Sequence, residues 1–185
     1  MDADTTDEKL MQAYVDNDPA AFDALYSRHK GGIYRYFLRQ CSDEATAQEL
    51  FQDVWMKLIH SKQRYQPTAK FSTWLYTLAH HRLVDWYRKQ NVSMSVDDKQ
   101  SDPQSQPATA DWQPENELAR LRLVKALQTA ITLLPAEQRE VFLLHEEGGF
   151  TVAEIAEITG VSKEATKSRY RYAVQKLRAR LEAVR

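Results

Sequence analysis

The chain has 185 residues, 43% of them hydrophobic and 28% charged, which is enough for one moderate core or two small ones, and its formal net charge is −1. No apolar run approaches the roughly 20 residues that span a bilayer, and the stretch Met1 to Glu8 is acidic where a leader peptide is basic, so a cytoplasmic location is expected. A single cysteine, Cys41, excludes an internal disulfide framework, and five histidines without a Cys-x-x-Cys partner give no zinc spacing, so neither metal nor cofactor is expected.

The near-zero net charge conceals an alternation. The first eighteen residues carry six Asp/Glu against Lys9, and residues 93–117 carry six against Lys99. Residues 61–92 hold six Lys/Arg against Asp85, and residues 161–185 hold eight against Glu164 and Glu182. Two basic modules therefore alternate with two acidic stretches.

In chain order, Asp18-Pro19 predicts an N-cap followed by proline at the first helical position. Gly31-Gly32 interrupts that helix, and two glycines cost about 2 kcal/mol relative to alanine, so a kink or break is expected there. Ser42 or Asp43 caps the next helix, in which Leu50, Val54, Met56, Leu58 and Ile59 supply a core face and which ends near Ser61. A polar loop, Lys62 to Lys70, leads to a helix from Phe71 to about Gln90 with Phe71, Leu75, Leu78, Ala79, Arg82 and Trp86 on one stripe. The segment Asn91 to Gln113, rich in Ser, Gln, Asp and Pro, reads as a linker. It divides the chain into a first domain, 1–92, a linker, 93–113, and a second domain, 114–185.

Beyond it, Pro114 starts an amphipathic helix through Leu121, Val124, Leu127, Ile131 and Leu134 that Pro135 stops. A helix from Ala136 to Glu147 ends at Gly148-Gly149. Thr151-Val152-Ala153-Glu154 fits a capping box for a short helix that stops at Gly160, and Ser162 caps a long basic helix to about Val184. No strand pattern occurs in the sequence. The expected fold is all-α, two small helical domains on a flexible acidic tether, the second containing a helix-turn-helix.

That motif, TVAEIAEITGVSKEATKSRYRYA (Thr151 to Ala173), is the strongest functional signal. Gly160 permits the left-handed backbone that a sharp interhelical turn needs, and the second helix offers Lys163, Lys167, Ser168, Arg169 and Arg171 where such helices enter a major groove. In the first domain, Tyr65, Phe71, Trp74, Tyr76, Trp86 and Tyr87 interleave with Arg64, Lys70, Arg82, Arg88 and Lys89. Cations beside rings that stack on unpaired bases suit single-stranded nucleic acid, whereas a plain core role is the competing reading of those rings. Helical spacing sets Tyr76, His80 and Tyr87, with Thr77, His81 and Arg88 beside them, away from the apolar stripe as the exposed candidates.

The order of these features from Pro19 to Leu181 resembles the extracytoplasmic-function (group IV) sigma factors of the sigma-70 family. EATAQELFQDVWMKL (Glu44 to Leu58) is similar to region 2.2, KFSTWLYTLAHHRLVDWYRK (Lys70 to Lys89) to regions 2.3 and 2.4, and Ile131 to Leu181 to region 4. The resemblance implies an alternative sigma factor, without catalytic activity of its own, that binds core RNA polymerase, directs it to promoters and assists opening. It implies docking on the clamp helices of the largest polymerase subunit through Glu49, Leu50, Gln52, Asp53 and Lys57, and contact with the flap of the second-largest subunit. Minus-ten DNA, single-stranded, falls to Arg64, Tyr65, Lys70, Tyr76, Thr77, His80, His81 and Arg88. Duplex minus-thirty-five DNA falls to Lys163, Thr166, Lys167, Ser168, Arg169, Arg171 and Tyr172. It further implies an anti-sigma partner and a linker that threads the polymerase channels. The chain departs from the family pattern at His81, commonly Asn, Thr77, often Arg, Thr166, usually Val, and Tyr172, usually Arg. The competing function is a stand-alone helix-turn-helix regulator that binds an operator by itself; an enzyme is disfavoured because the acids cluster in tail and linker rather than converging.

Overall fold

The computed structural model describes residues 5–94 and 114–182, and among them every regular element is helical. Eight helices follow in order: α1 (Asp7–Val15), α2 (Pro19–Cys41), α3 (Glu44–Ser61), α4 (Phe71–Met94), α5 (Pro114–Thr132), α6 (Ala136–Glu146), α7 (Val152–Thr159) and α8 (Lys163–Glu182). A single 3-10 turn, Lys62–Arg64, lies in the loop before α4. The linker expected over 93–113 lies outside the described residues beyond Met94, the last residue of α4.

The local signals are realised as hydrogen bonds. Asp18 accepts from the backbone N–H of Ala20 at 3.0 Å, with Pro19 opening α2. Of the two candidates for the α3 cap it is Asp43 that accepts, from Thr46 N–H at 2.7 Å, while Ser42 closes α2 in the left-handed region with φ 55°. The capping box at α7 is complete: Glu154 N–H donates to Thr151 Oγ1 at 3.3 Å and Thr151 N–H to Glu154 Oε2 at 2.8 Å.

One expectation fails. Gly31-Gly32 neither kinks nor breaks α2, which runs unbroken from Pro19 to Cys41. The reason is packing: a Cβ on Gly32 would stand 2.8 Å from the Tyr76 hydroxyl oxygen, so the missing side chain admits α4 against α2. Backbone freedom is spent on close approach rather than on a bend.

Helix α1 precedes the first helix placed from the sequence. Thr6 caps it, Leu10 and Met11 are fully buried, and its acids are used: Asp7 pairs with Arg28 at 2.7 Å and His29 at 2.6 Å, and the Glu8 carboxylate accepts from Phe71 N–H at 2.9 Å. Glu8 thus satisfies a free amide at the start of α4 from the other end of the domain.

Packing departs from two separate cores. Leu25, Ile33, Phe37, Leu50, Val54, Leu58, Phe71, Leu75 and Leu83 form one interior, and Val141 and Leu144 of α6, Phe150 and Ile155 and Ile158 of α7 belong to the same buried cluster. A second, smaller cluster holds Ala130, Ile131, Leu134, Leu143, Ala173 and Leu177 of α5, α6 and α8. The first helix of the helix-turn-helix, α7, therefore lies on α4, and α6 lies on α2.

Candidate nucleic-acid and polymerase interfaces

On α3 the inner face is Ala47, Leu50, Phe51, Val54, Trp55 and Leu58, all buried. Leu50, expected among the docking residues, is fully enclosed and supports that surface from behind. Met56 and Ile59, expected in the core, are instead 52% and 36% exposed. At about 100° per residue Met56 falls well away from the Leu50/Val54/Leu58 line, a signal the spacing already contained. The outer face thus combines exposed Gln52, Met56, Lys57 and Ile59 with the carboxylates of Glu49 and Asp53. Arg82 of α4 donates to Asp53 Oδ2 from Nε at 2.6 Å and to Glu49 Oε1 from Nη2 at 3.2 Å, holding both acids in register.

The loop and α4 carry the candidates for unpaired DNA. Arg64, His81 and Arg88 are exposed, and Thr77 is half-buried with its hydroxyl donated to the Thr73 carbonyl at 2.8 Å. Tyr65 departs from the expected exposed role: it is buried, its ring against Phe71 and Trp74 at 6.2 and 5.2 Å. Tyr76 departs too, being only 8% exposed, with its ring against Phe150 at 4.8 Å. Burial pushes its hydroxyl up to about 12. His80 Nδ1 meets Glu140 Oε1 at 2.7 Å, and the same oxygen accepts from the Tyr36 hydroxyl at 2.5 Å. Burial and that carboxylate hold the Tyr36 hydroxyl well above its ordinary value, so it remains a donor. Lys70 pairs with Glu154 at 2.8 Å, which lowers the Glu154 carboxyl to about 2. Tyr87 is half-buried, its hydroxyl donating to the Gln40 carbonyl at 3.3 Å. Periodicity along α4 could not disclose these contacts, because Gln40, Glu140, Phe150 and Glu154 all lie far away in sequence.

The helix-turn-helix is built from local chemistry. Gly160 takes φ 67° and ends α7, and Ser162 accepts from Ala165 N–H at 3.1 Å to start α8. Lys163, Lys167 and Arg171 are exposed and four residues apart, so they form one cationic line along the helix. Ser168 is half-buried beside it, and Tyr172 is 46% exposed with the Arg171 guanidinium 5.3 Å from its ring centre. Arg169 pairs with Glu137 of α6 at 2.7 Å. Thr166 departs from its expected role at the DNA surface: it is fully buried and donates to the Ser162 carbonyl at 3.0 Å, which makes it part of the turn's interior. On the far side of α8, an apolar groove of about 490 Å³ is lined by Leu123, Leu127, Phe142, Val174, Leu177 and Leu181.

An aromatic and basic four-helix unit joined to a helix-turn-helix unit defines a class of promoter-recognition protein, and comparison with known sequences agrees. Residues 25–92 match sigma-70 region 2 and residues 125–177 match sigma-70 region 4. The chain is 30% identical over 168 residues to the RNA polymerase sigma factor CarQ of Myxococcus xanthus, covering 91% of this chain and 93% of that one. It is 31% identical over 169 residues to the ECF RNA polymerase sigma factor SigL of Mycobacterium tuberculosis, covering 89% and 91%. The fold is similar to the sigma factor RpoE of Bartonella quintana, solved with the anti-sigma factor NepR, at TM-score 0.73 and 21% identity over 89% of this chain and 98% of that one. It is also similar to CnrH, solved with the cytosolic domain of CnrY, at TM-score 0.70 and 22% identity over 97% and 99%. The chain belongs to the extracytoplasmic-function family of RNA polymerase sigma factors.

Proposed function

We propose that the chain divides promoter recognition between two helices on two domains, 1–92 and 114–185, with α4 taking the melted minus-ten strand and α8 reading the duplex minus-thirty-five element. The role of the whole, directing RNA polymerase to promoters, is that of its family. The observation that carries the division is the line of Lys163, Lys167 and Arg171 on a helix whose start and preceding turn are both fixed by caps. Phosphate contacts from such a line give salt-dependent affinity, and side chains at its N-terminal half reach base edges. On α4 and its loop, Arg64, Lys70, His81 and Arg88 supply cations or ring edges, and Thr77, His80 and Tyr76 complete the strand surface once they are uncovered.

The outer face of α3, Glu49, Gln52, Asp53, Met56, Lys57 and Ile59, docks on the clamp helices of the largest polymerase subunit. Its mixture of carboxylates and exposed apolar side chains suits a basic, partly apolar partner helix. The groove beneath α8 takes the flap of the second-largest subunit. An anti-sigma protein controls the chain by covering these same faces, and the whole works in the cytoplasm. No helix among the described residues is long and apolar enough to cross a membrane.

Run-off transcription with purified core polymerase on a genomic promoter pool tests the reading. Polymerase-dependent, promoter-specific transcripts, lost in Lys167→Ala/Arg171→Ala, are the expected result. Tight operator binding by the protein alone, without polymerase association, would establish the stand-alone regulator instead.

A further inference from the structure

The first half of α8 carries an acid among its cations. At about 100° per residue, Glu164 stands about 140° to 180° around the helix from the buried Thr166, Ala173 and Leu177, so it points directly outward. Ser168 and Arg171, four and seven residues on, continue the same outward ridge. Lys163 lies only about 40° to 80° from the buried line and Lys167 about 80° to 120°, so both flank that ridge. Other acids of the second half are bonded within the protein: Glu137 to Arg169, Glu146 to Tyr170 and Glu154 to Lys70. Glu164 is exposed, and among the described residues it pairs neither with Lys163 beside it nor with Lys167 one turn on.

We propose that Glu164 is a base-reading residue that selects cytosine in the duplex element bound by α8. The proposal rests on the reading of α8 as the minus-thirty-five helix. Phosphates repel an acid on this ridge, so Glu164 weakens binding to DNA in general and is favourable only where a donor meets it. A carboxylate accepts and does not donate, and the major groove offers it two exocyclic amines, cytosine N4 and adenine N6. The adenine amine stands beside the N7 acceptor, which repels a carboxylate, so cytosine is the match. Helices of this kind bring their N-terminal residues to base edges, and Glu164 is the second residue of α8. It is fixed there by Ser162, which accepts from Ala165 N–H at 3.1 Å, and by the fully buried Thr166. Lys163 and Lys167 on the flank offset the repulsion by meeting phosphates. Arg171, its guanidinium 5.3 Å from the Tyr172 ring centre, offers the opposite pattern, donors that suit the O6 and N7 acceptors of guanine. The ridge therefore begins with an acceptor and presents a donor two turns on, and the order of the signs decides which base pairs fit. An acid in the first turn also favours the helix dipole, but that effect is the same for every DNA sequence.

The test is a binding selection. Core RNA polymerase carrying the full chain is offered a promoter library randomised over the minus-thirty-five region, and the retained DNA is sequenced. The parent chain should enrich cytosine at one position of one strand by about tenfold over the other bases, the scale of a single base-edge contact. Glu164→Ala should lose that preference at that position alone, and Glu164→Gln, whose amide suits adenine N6 and N7, should move it towards adenine. Circular dichroism of each variant checks that the helices persist. A base profile unchanged in both variants overturns the assignment. So does a change of affinity that is uniform across sequences, which marks Glu164 as a dipole partner or a plain repulsive charge. Lys167→Ala/Arg171→Ala in the same selection separates the two readings. Loss of the profile there, with no change in the Glu164 variants, keeps α8 as the minus-thirty-five helix and removes Glu164 as a reader. A profile unchanged in all three variants removes both.

Discussion

Helices α4 and α8 hold most of the candidate DNA-contacting residues, and they present themselves differently. Lys163, Lys167 and Arg171 are exposed on one side of α8, whereas α4 has Tyr76 buried and His80 bonded to Glu140, with Lys70 just before it paired with Glu154. A helix that reads duplex DNA needs only to project side chains from a rigid frame, and α8 has such a frame in its caps and in Leu177 and Ala173. A helix that holds unpaired bases needs aromatic surface, and aromatic surface left exposed finds a partner. In this chain the partner is its own second half.

The largest effect that sharpens the contrast is on stability. Phe71→Ala removes a fully buried ring that contacts Tyr65, Trp74 and His29 and should cost about 3–5 kcal/mol, read by thermal or denaturant unfolding. An equally large loss of duplex affinity without loss of fold is not expected from any single α8 residue. Lys167→Ala and Arg171→Ala should each weaken promoter binding of the polymerase complex, by about 1–3 kcal/mol where the side chain reaches a base edge. Where it meets only phosphate, the loss should be uniform across sequences and the salt slope should fall by about 1. Arg169→Ala, by contrast, first frees Glu137 and should lower affinity less than Lys167→Ala does; an equal or larger loss would make Arg169 the principal reader.

Smaller effects test the frames themselves. Thr151→Ala removes the cap of α7 and should destabilise the second half by about 1 kcal/mol, visible as a lower melting temperature with unchanged strand affinity. The paired glycines of α2 should separate in sign. Gly31→Ala meets only the tip of Arg35 at 3.2 Å and should stabilise by about 0.5–1 kcal/mol, whereas Gly32→Ala drives the Tyr76 hydroxyl out of place. Tyr76→Phe in the Gly32→Ala background should restore much of the difference. Last, the Glu154 carboxyl is held at about 2, so its contribution is complete above its ordinary value near 4.5 and is lost as pH falls from there towards 2. A titration of the melting temperature over that window, flattened in Lys70→Ala, checks the pairing.

What was legible in the sequence follows the range of the interactions. Caps at Asp18, Asp43 and Thr151 and the turn at Gly160 depend on residues within four positions, and the helices and turn of the helix-turn-helix were therefore readable. The exposure of Met56 was readable from spacing but obscured by its hydrophobic character. Thr166 shows the converse, a polar residue taken for a surface group that is buried because its hydroxyl bonds within its own helix. The unbroken α2, the covered Tyr76 and the helix α1 each depend on partners distant in sequence, and a period of 3.6 says nothing about which of two elements covers a face.

The contact between Glu8 and the first amide of α4 bears on how the protein can be cut down. A fragment trimmed to the family boundary would begin at residue 25. It would discard the carboxylate that tethers the start of α4, the Asp7 bridge to Arg28 and His29, and the two buried side chains of Leu10 and Met11. The packing around region 2 of this chain therefore begins earlier than its family signature, and a fragment meant for binding studies should start before Thr5.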